Sequence, residues 1–397
     1  MSDLDLVVFG ATGFVGELVA QHLAASAPAG ACIGLAGRSK EKLERVRDGL
    51  DRDWPLVVVE AGDPAELVDT ARVVCTTVGP YARYGFPLAE ACARTGTHYL
   101  DLTGEVVFHR QVIDELHDVA IASGAKVVPS CGYDSIPSDL GVLLLAEQAM
   151  ADGAGLLGDT THVASLKGGV SGGTVDSLRG QVETVKARPE LRALVDDPYA
   201  LSPDRDAEPH LHERPDRAGV RKAEDGTWTG PFVMAQYNTR VVRRSNALLG
   251  YTYGRELRYQ EQMGFGRAPL GPVLAGAAAT ILPLAEPAFG FGPTRAVLDR
   301  LLPKPGQGPD EQARANGWFR SELRTTTTSG ARYLAVVGGK GDPGYALTAV
   351  MMGQSALSLA FDEIPDRAGV LTPATAMGSV LAERLRAQGM ELSVTRL

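Results

Sequence analysis

Thiols are scarce in this chain of 397 residues: Cys32, Cys75, Cys92 and Cys131 are the only cysteines, and no two form a CxxC pair. The scarcity excludes a disulfide framework and a cysteine-built zinc site, and fits free thiols in a reducing compartment. An excess of positive charge is also missing, since the formal net charge is −9. A general nucleic-acid binder carries a basic field, so that class is excluded. The opening MSDLDLVVFG has no basic stretch ahead of an apolar one. No secretory signal is expected there, and a cytoplasmic location is. Residues 268–285 carry no charge, but Pro269, Pro272 and Pro283 interrupt them. The helix they permit, Val273–Leu282, is about 15 Å long at the α-helical rise. A bilayer core is about 30 Å thick. An apolar helix at about 270–285 that docks on protein or rests on lipid is expected, with membrane association left open. No internal repeat is visible.

What is present is a globular balance, with 44% hydrophobic and 22% charged residues. The length suggests two domains. Through residue 140 strand and helix signals alternate: LDLVVFGA, then FVGELVAQHLAAS, then CIGLAGR, then SKEKLERVRDGL with Ser39 as its cap, and so on to AKVVPSCG. Alternation of this kind gives a Rossmann-type, doubly wound parallel sheet. Later runs are long and rich in β-branched residues: THVASLKG, PFVMAQYNTRVVRRSNALL and SELRTTTTSGARYLAVVGGKGDPGYALTAVMMG. They predict a second α+β domain on a mainly antiparallel sheet, with GGKGDPG as a hairpin turn. The expected division is 1–140, 141–365 and a C-terminal helical segment, 366–397, that returns to the first domain. Thr372, Pro373 and Gly389 mark the start and stop of its helix. A proline-rich, charged loop at about 203–226 holds His210 and His212, an HxH pair for which no metal is expected.

The glycine turn carries the first chemistry. Gly10, Gly13 and Gly16 follow a strand and open a helix, the context that makes such a turn a dinucleotide site. Gly10 turns the chain, Gly13 admits a pyrophosphate, and Gly16 lets helix and strand pack closely. Thr12 adds a hydroxyl, and Phe14 stands where the helix begins. Free N–H groups at that helix start favour phosphate. At the end of the second strand, LAGRSKEKL, the carboxylate that NAD enzymes place on the ribose is absent. Arg38, Ser39 and Lys42 suit a 2′-phosphate instead, so NADPH is the expected cofactor.

Ligands in such sheets sit beyond the carboxyl ends of the strands. Three segments lie there. In VGPYARYG, Gly79 and Pro80 face the nicotinamide ribose and Tyr81 walls the pocket. In YLDLTGE, Asp101 and Glu105 are acids placed to orient substrate or water. In PSCGYDSIPSDLG, Tyr133 and Asp134 precede a helix that Ser135 or Ser138 caps. Hydride transfer needs a positioned proton donor rather than a protein nucleophile. Tyr81, Tyr133 and Asp134 are the candidate catalytic residues. No Tyr–Lys pair with the YxxxK spacing accompanies either tyrosine. A further cluster, GGVSGGT at 168–174, is a candidate pocket floor.

FGATGFVG, AGRS, VGPY, YLDLTGE, CGYDSIPSDLG and GGVSGGT, in this order, resemble the saccharopine dehydrogenase-like oxidoreductases. The chain looks most like the actinobacterial trans-acting enoyl reductases of polyketide lipid biosynthesis, over nearly its whole length, including PGQGPDEQARANGWF and TPATAMG. The resemblance implies an NADPH-dependent reduction of the C=C bond of an acyl or polyketide thioester, borne by a carrier protein or CoA. Arg240, Arg243, Arg244, Arg255, Arg258 and Arg267 form a locally basic stretch that suits an acidic carrier or a pantetheine phosphate. Two other readings stay open: an NADP-dependent imine or amino-acid dehydrogenase, and a non-catalytic NADP-binding protein of lipid surfaces. The oligomeric state is open too.

Overall fold

The computed structural model describes residues 3–60, 64–168, 172–209, 211, 219–267, 269–290 and 308–397. His210, His212, Asp63, Ala268 and residues 169–171 of the glycine cluster lie outside them. The first sheet begins with β1 (Leu4–Phe9), β2 (Ile33–Gly37), β3 (Leu56–Val58), β4 (Ala71–Thr76), β5 (His98–Leu100) and β6 (Lys126–Val128). The helices between and after them are α1 (Phe14–Ser26), α2 (Lys40–Asp48), α3 (Ala65–Thr70), α4 (Tyr81–Thr95), α5 (Val106–Ser123) and α6 (Ile136–Ala151). All ladders in this sheet are parallel. Its strands are buried on both faces, which explains their unbroken apolar runs.

The second sheet holds β7 (Leu157–Lys167), β8 (Arg221–Lys222), β9 (Trp228–Pro231), β10 (Arg258–Gly264), β11 (Trp318–Thr327) and β12 (Arg332–Lys340). With them come α7 (Gly172–Ala187), α8 (Leu191–Asp196), α9 (Ala235–Leu248), α10 (Gly271–Gly290), α11 (Glu311–Ala315), α12 (Thr348–Phe361) and α13 (Pro373–Ala387). Two last strands, β13 (Gly369–Val370) and β14 (Glu391–Arg396), divide the C-terminal segment. The first joins β6 in the parallel sheet, and the second joins β12 in the other. The strand orders are β13-β6-β5-β4-β1-β2-β3 and β14-β12-β11-β7-β10-β9-β8. The second sheet is antiparallel except between β7 and β10.

Two segments read as strands are helices. NTRVVRRSNAL lies in α9, and the ALTAVMMG stretch enters α12. In both, β-branched residues are outweighed by an apolar face that packs at helical spacing, so tertiary contacts override propensity. GGKGDPG is no hairpin turn either. Asp342 there accepts from Tyr345 N at 3.0 Å and starts a π turn, Pro343–Leu347, that leads into α12. The β11–β12 hairpin turns earlier, closed by Thr327 N donating to Ala331 O at 2.8 Å. α10 runs on through Pro283. Val273, Leu274, Ile281 and Leu284 are exposed along it, and so is Leu270 just before it. No helix among the described residues is long and apolar enough to cross a membrane.

α6 joins the two sheets. It packs on β7, β11 and β12 and also on α9 and α13. A helix apolar on nearly every side is one buried on nearly every side. Its one buried acid, Asp139, is not serving its own helix. Asp139 accepts from Ala374 N at 2.8 Å and from the Ser245 hydroxyl, so it holds the start of α13 and the face of α9 together. Thr372 caps α13 in a capping box with Thr375, as its position before Pro373 predicts. The arginine stretch has a similar structural use. Arg240, Arg243 and Arg244 are buried on α9. Arg244 donates to Leu201 O at 2.7 Å and to Val370 O at 2.5 Å. These three are therefore not a carrier-facing patch. Arg255, Arg258 and Arg267 remain exposed, each with a partner of its own.

Burial pushes the Asp139 carboxyl up to about 6 from its ordinary 3.8. The folded protein thus keeps a proton that the unfolded chain loses between about pH 4 and 6. The associated stability is present below that window and lost as pH rises through it. Asp139→Asn carries no such titration. Denaturant unfolding should show the variant gaining on the wild type by roughly 3 kcal/mol between pH 4 and 7; a pH-independent difference contradicts the burial argument. Asp139→Ala, which leaves Ala374 N without its acceptor, should cost about 1–3 kcal/mol.

Candidate active site

The carboxyl ends of β6, β5, β4, β1 and β2 lie side by side in the first sheet. They bring the glycine turn, LAGRSKEKL, VGPY and the segment around Tyr133 to one edge. At the turn, Gly10 has φ +88° and fits over Thr77 and Val78. Gly13 is the N-cap of α1, and no side chain caps the helix. An ideal Cβ on Gly16 would stand 2.1 Å from Gly10 O. The helix can therefore start hard against the strand end only without a side chain there. Thr12 lies beside Gly37. Ser39 accepts from Lys42 N at 3.4 Å and caps α2. Arg38 and Lys42 are exposed and make no ion pair among the described residues. The cradle, the uncapped helix start and the two unpaired cations fit a dinucleotide with an extra phosphate.

Gly79 is exposed and Pro80 half-buried before α4, with a cis bond between them. Tyr81 is buried instead of lining an open pocket. Its hydroxyl donates to Thr76 O at 3.1 Å and accepts from Leu102 N at 3.2 Å. Burial, then the charge of Asp101, pushes the phenol up well above its usual range. The two bonds lock the ends of β4 and β5 together, which leaves no hydroxyl for proton donation. The two strand-end acids are likewise occupied. Glu105 accepts from Tyr81 N at 3.0 Å and Ala82 N at 2.9 Å, so it caps α4 from a distance. Asp101 accepts from Thr103 N, Ser130 N and the Tyr99 hydroxyl at 2.8–2.9 Å. Burial raises its carboxyl to about 6. Neither acid is placed to orient substrate.

Tyr133 and Asp134 differ from these. The Tyr133 ring meets Phe319 edge-on at 4.9 Å. Its hydroxyl is buried with no hydrogen-bond partner. Burial first, then the charges of Glu261 and Asp134, pushes the phenol far up. Asp134 is half-buried, and burial alone raises its carboxyl to about 6. Ser135 stands at the N-cap of α6 without capping it; its hydroxyl donates to Asn238 Oδ1 at 3.2 Å.

Behind this pair lies a polar cluster that sequence reasoning missed. Glu261 on β10 and His162 on β7 are register partners. His162 Nδ1 is 3.4 Å from Glu261 Oε1 and 3.3 Å from the Tyr259 hydroxyl. Tyr259 donates to Glu261 Oε1 at 2.7 Å, and Asn238 donates to Oε2 at 3.0 Å. His162 Nε2 is buried and unpartnered, as is the Ser321 hydroxyl. On β11, Leu323 pairs with His162 and Ser321 with Ala164, so His162 and Ser321 are diagonal neighbours on one face. Phe319, two residues further along that face, carries Tyr133. The only sequence signal was a histidine inside an apolar alternating strand, which a satisfied core residue gives equally well. Among the described residues, no group of three His, Cys, Asp or Glu side chains suits a metal.

A nucleotide-cradling parallel sheet joined to a second sheet that carries a buried acid–histidine cluster defines an oxidoreductase of the dinucleotide-dependent class. Residues 6–128 match the saccharopine dehydrogenase NADP-binding domain. A Mycobacterium tuberculosis protein provisionally named a trans-acting enoyl reductase is 48% identical, across 100% of this chain and 98% of the relative. A trans-acting enoyl reductase of Mycobacterium ulcerans is 46% identical over the same shares. Among solved structures, apo saccharopine dehydrogenase (L-Glu forming) from Saccharomyces cerevisiae shares the fold, with a TM-score of 0.58, 13% identity and 99% coverage of both chains. The chain belongs to the trans-acting enoyl reductase family within the saccharopine dehydrogenase-like oxidoreductases, and it carries an NADP-binding domain.

Gly16→Ala should abolish NADP(H) binding, because the added methyl has backbone on its far side and no room to shift. Arg38→Ala should weaken NADPH at least tenfold while leaving NADH within about twofold, the scale of one or two charge-assisted bonds. Fluorescence titration with both nucleotides checks this; equal losses for both contradict the 2′-phosphate assignment.

Proposed function

We propose that the protein is an NADPH-dependent enoyl reductase acting on the α,β-unsaturated thioester of a long acyl or polyketide chain held by a carrier protein or CoA, as a step in lipid biosynthesis. The observation that carries this reading is full-length similarity to trans-acting enoyl reductases, joined to an uncapped glycine turn and an unpartnered phenol at the same sheet edge. Bound NADPH supplies the hydride for the β-carbon. The chain's own task is to place the thioester and to hand a proton to the α-carbon. Tyr133 is the proposed donor, since its hydroxyl is buried at the carboxyl edge with no other partner. His162, oriented through Nδ1 by Glu261 and Tyr259, has its Nε2 buried and unpartnered and is the second side chain proposed to meet the thioester. Asp134, next to Tyr133 in the chain, is half-buried, and burial raises its carboxyl to about 6.

The family name supports a carrier-borne substrate, but the arginines of α9 no longer do, because they are buried. The exposed apolar side of α10 favours a second reading, contact with a lipid surface. Leu274→Asp with Ile281→Asp should then abolish liposome binding while leaving NADPH affinity intact; unchanged liposome binding removes that reading.

The enzymatic reading is tested by incubating the protein with NADPH and enoyl thioesters on CoA and on a carrier domain. NADPH should be consumed and the saturated thioester formed. Tyr133→Phe and His162→Gln should each lower kcat on the order of 10²-fold, the usual contribution of a positioned acid. NADPH affinity should not change. No oxidation across chain lengths and carriers contradicts the reading.

A further inference from the structure

The stretch GPDEQARANGWF, far along the chain from the glycine turn, lies directly against it. Gly308 fits so tightly on Phe14 that a Cβ there would stand 2.2 Å from the ring. Tyr345, from the π turn before α12, meets the same ring edge-on at 5.0 Å. Arg314, in α11, places its guanidinium carbon 5.3 Å from the Phe14 ring centroid. Phe14 is the first residue of α1, the helix whose start no side chain caps. A cation from the second sheet's side of the molecule thus packs on the first side chain of the helix whose N–H groups suit a pyrophosphate.

Arg314 is also held and under-used. Its carbonyl accepts from Asp342 N at 2.8 Å, and Asp342 itself starts the π turn that carries Tyr345. Its Nη1 donates to Pro309 O at 2.7 Å. The nearby Asp310 is occupied in capping α11, accepting from Ala313 N at 2.7 Å. Among the described residues no carboxylate pairs with the Arg314 guanidinium, whose Nε and Nη2 have no acceptor. A guanidinium stacked on an aromatic ring is fixed in direction, and its planar fork suits two phosphate oxygens.

We propose that Arg314 is a ligand of the cofactor's pyrophosphate, so that NADP(H) is gripped by the glycine turn of the first sheet and by an arginine attached to the second. The proposal rests on NADP(H) binding and not on the reaction that follows. It separates Arg314 from Arg38. The pyrophosphate is common to NADPH and NADH, whereas the 2′-phosphate belongs to NADPH alone.

The experiment is fluorescence titration of the full chain with NADPH and with NADH, using Arg314→Gln and Arg314→Lys. Glutamine keeps a donor for Pro309 O and removes the charge. Arg314→Gln should raise both Kd values by the same factor, about tenfold, as expected for one charge-assisted hydrogen bond. Arg314→Lys should recover part of the loss. The thermal midpoint without cofactor should stay within a degree or two of wild type, on the order expected for a surface change. Three results overturn the assignment: Kd values that move less than twofold, a loss confined to NADPH, or a lysine variant as weak as the glutamine one. If the glutamine variant does not fold, Arg314→Met is titrated in its place, and Kd values within about twofold of wild type for both nucleotides overturn the assignment.

Discussion

The structure depends first on how closely α1 approaches the strand before it. With no side chain at Gly16, the helix begins against Gly10 O, and its free N–H groups open toward the carboxyl edge of the sheet. Any methyl there would push the helix away and close the phosphate cradle. Every other part of the site is arranged relative to that edge. Arg38 and Lys42 stand at the end of β2, Gly79 and Pro80 after β4, and Tyr133 after β6.

The acids of the carboxyl edge show how position alone misleads. Glu105 caps α4, Asp101 gathers three donors, and Asp139 holds α13. Each lies where a substrate-orienting acid would lie, and each is instead part of the frame that keeps loops in register. A buried carboxylate with all its oxygens occupied is structural; a polar atom left unpartnered in the same region is the stronger functional sign. By that criterion Tyr133, His162 and Ser321 stand out, and Tyr81 does not.

The parallel sheet was legible because its apolar strands and capped helices repeat the same local grammar from β1 to β6. The tight strand-to-helix turn was legible because Gly10, Gly13 and Gly16 sit between a strand and a helix. α9 was misread because its valines and arginines carry a β-like composition, while their burial between α6, β10 and the 195–201 segment is a tertiary fact. The His162–Glu261 pair was invisible for a related reason: the two residues are 99 positions apart and meet only through the parallel ladder of β7 and β10. Arg314 and Phe14 are farther apart still, and only the packing of Gly308 and Tyr345 brings them together.

Delivery of hydride from this NADP-binding frame to the β-carbon of an enoyl thioester is followed with NADPH stereospecifically deuterated at C4 of the nicotinamide, in ordinary water, with an unsaturated thioester as acceptor. Such delivery leaves one deuterium at the β-carbon of the saturated product for one of the two labelled faces, none for the other, and protium from solvent at the α-carbon. Product with no label from either face, or label at the α-carbon, would contradict it.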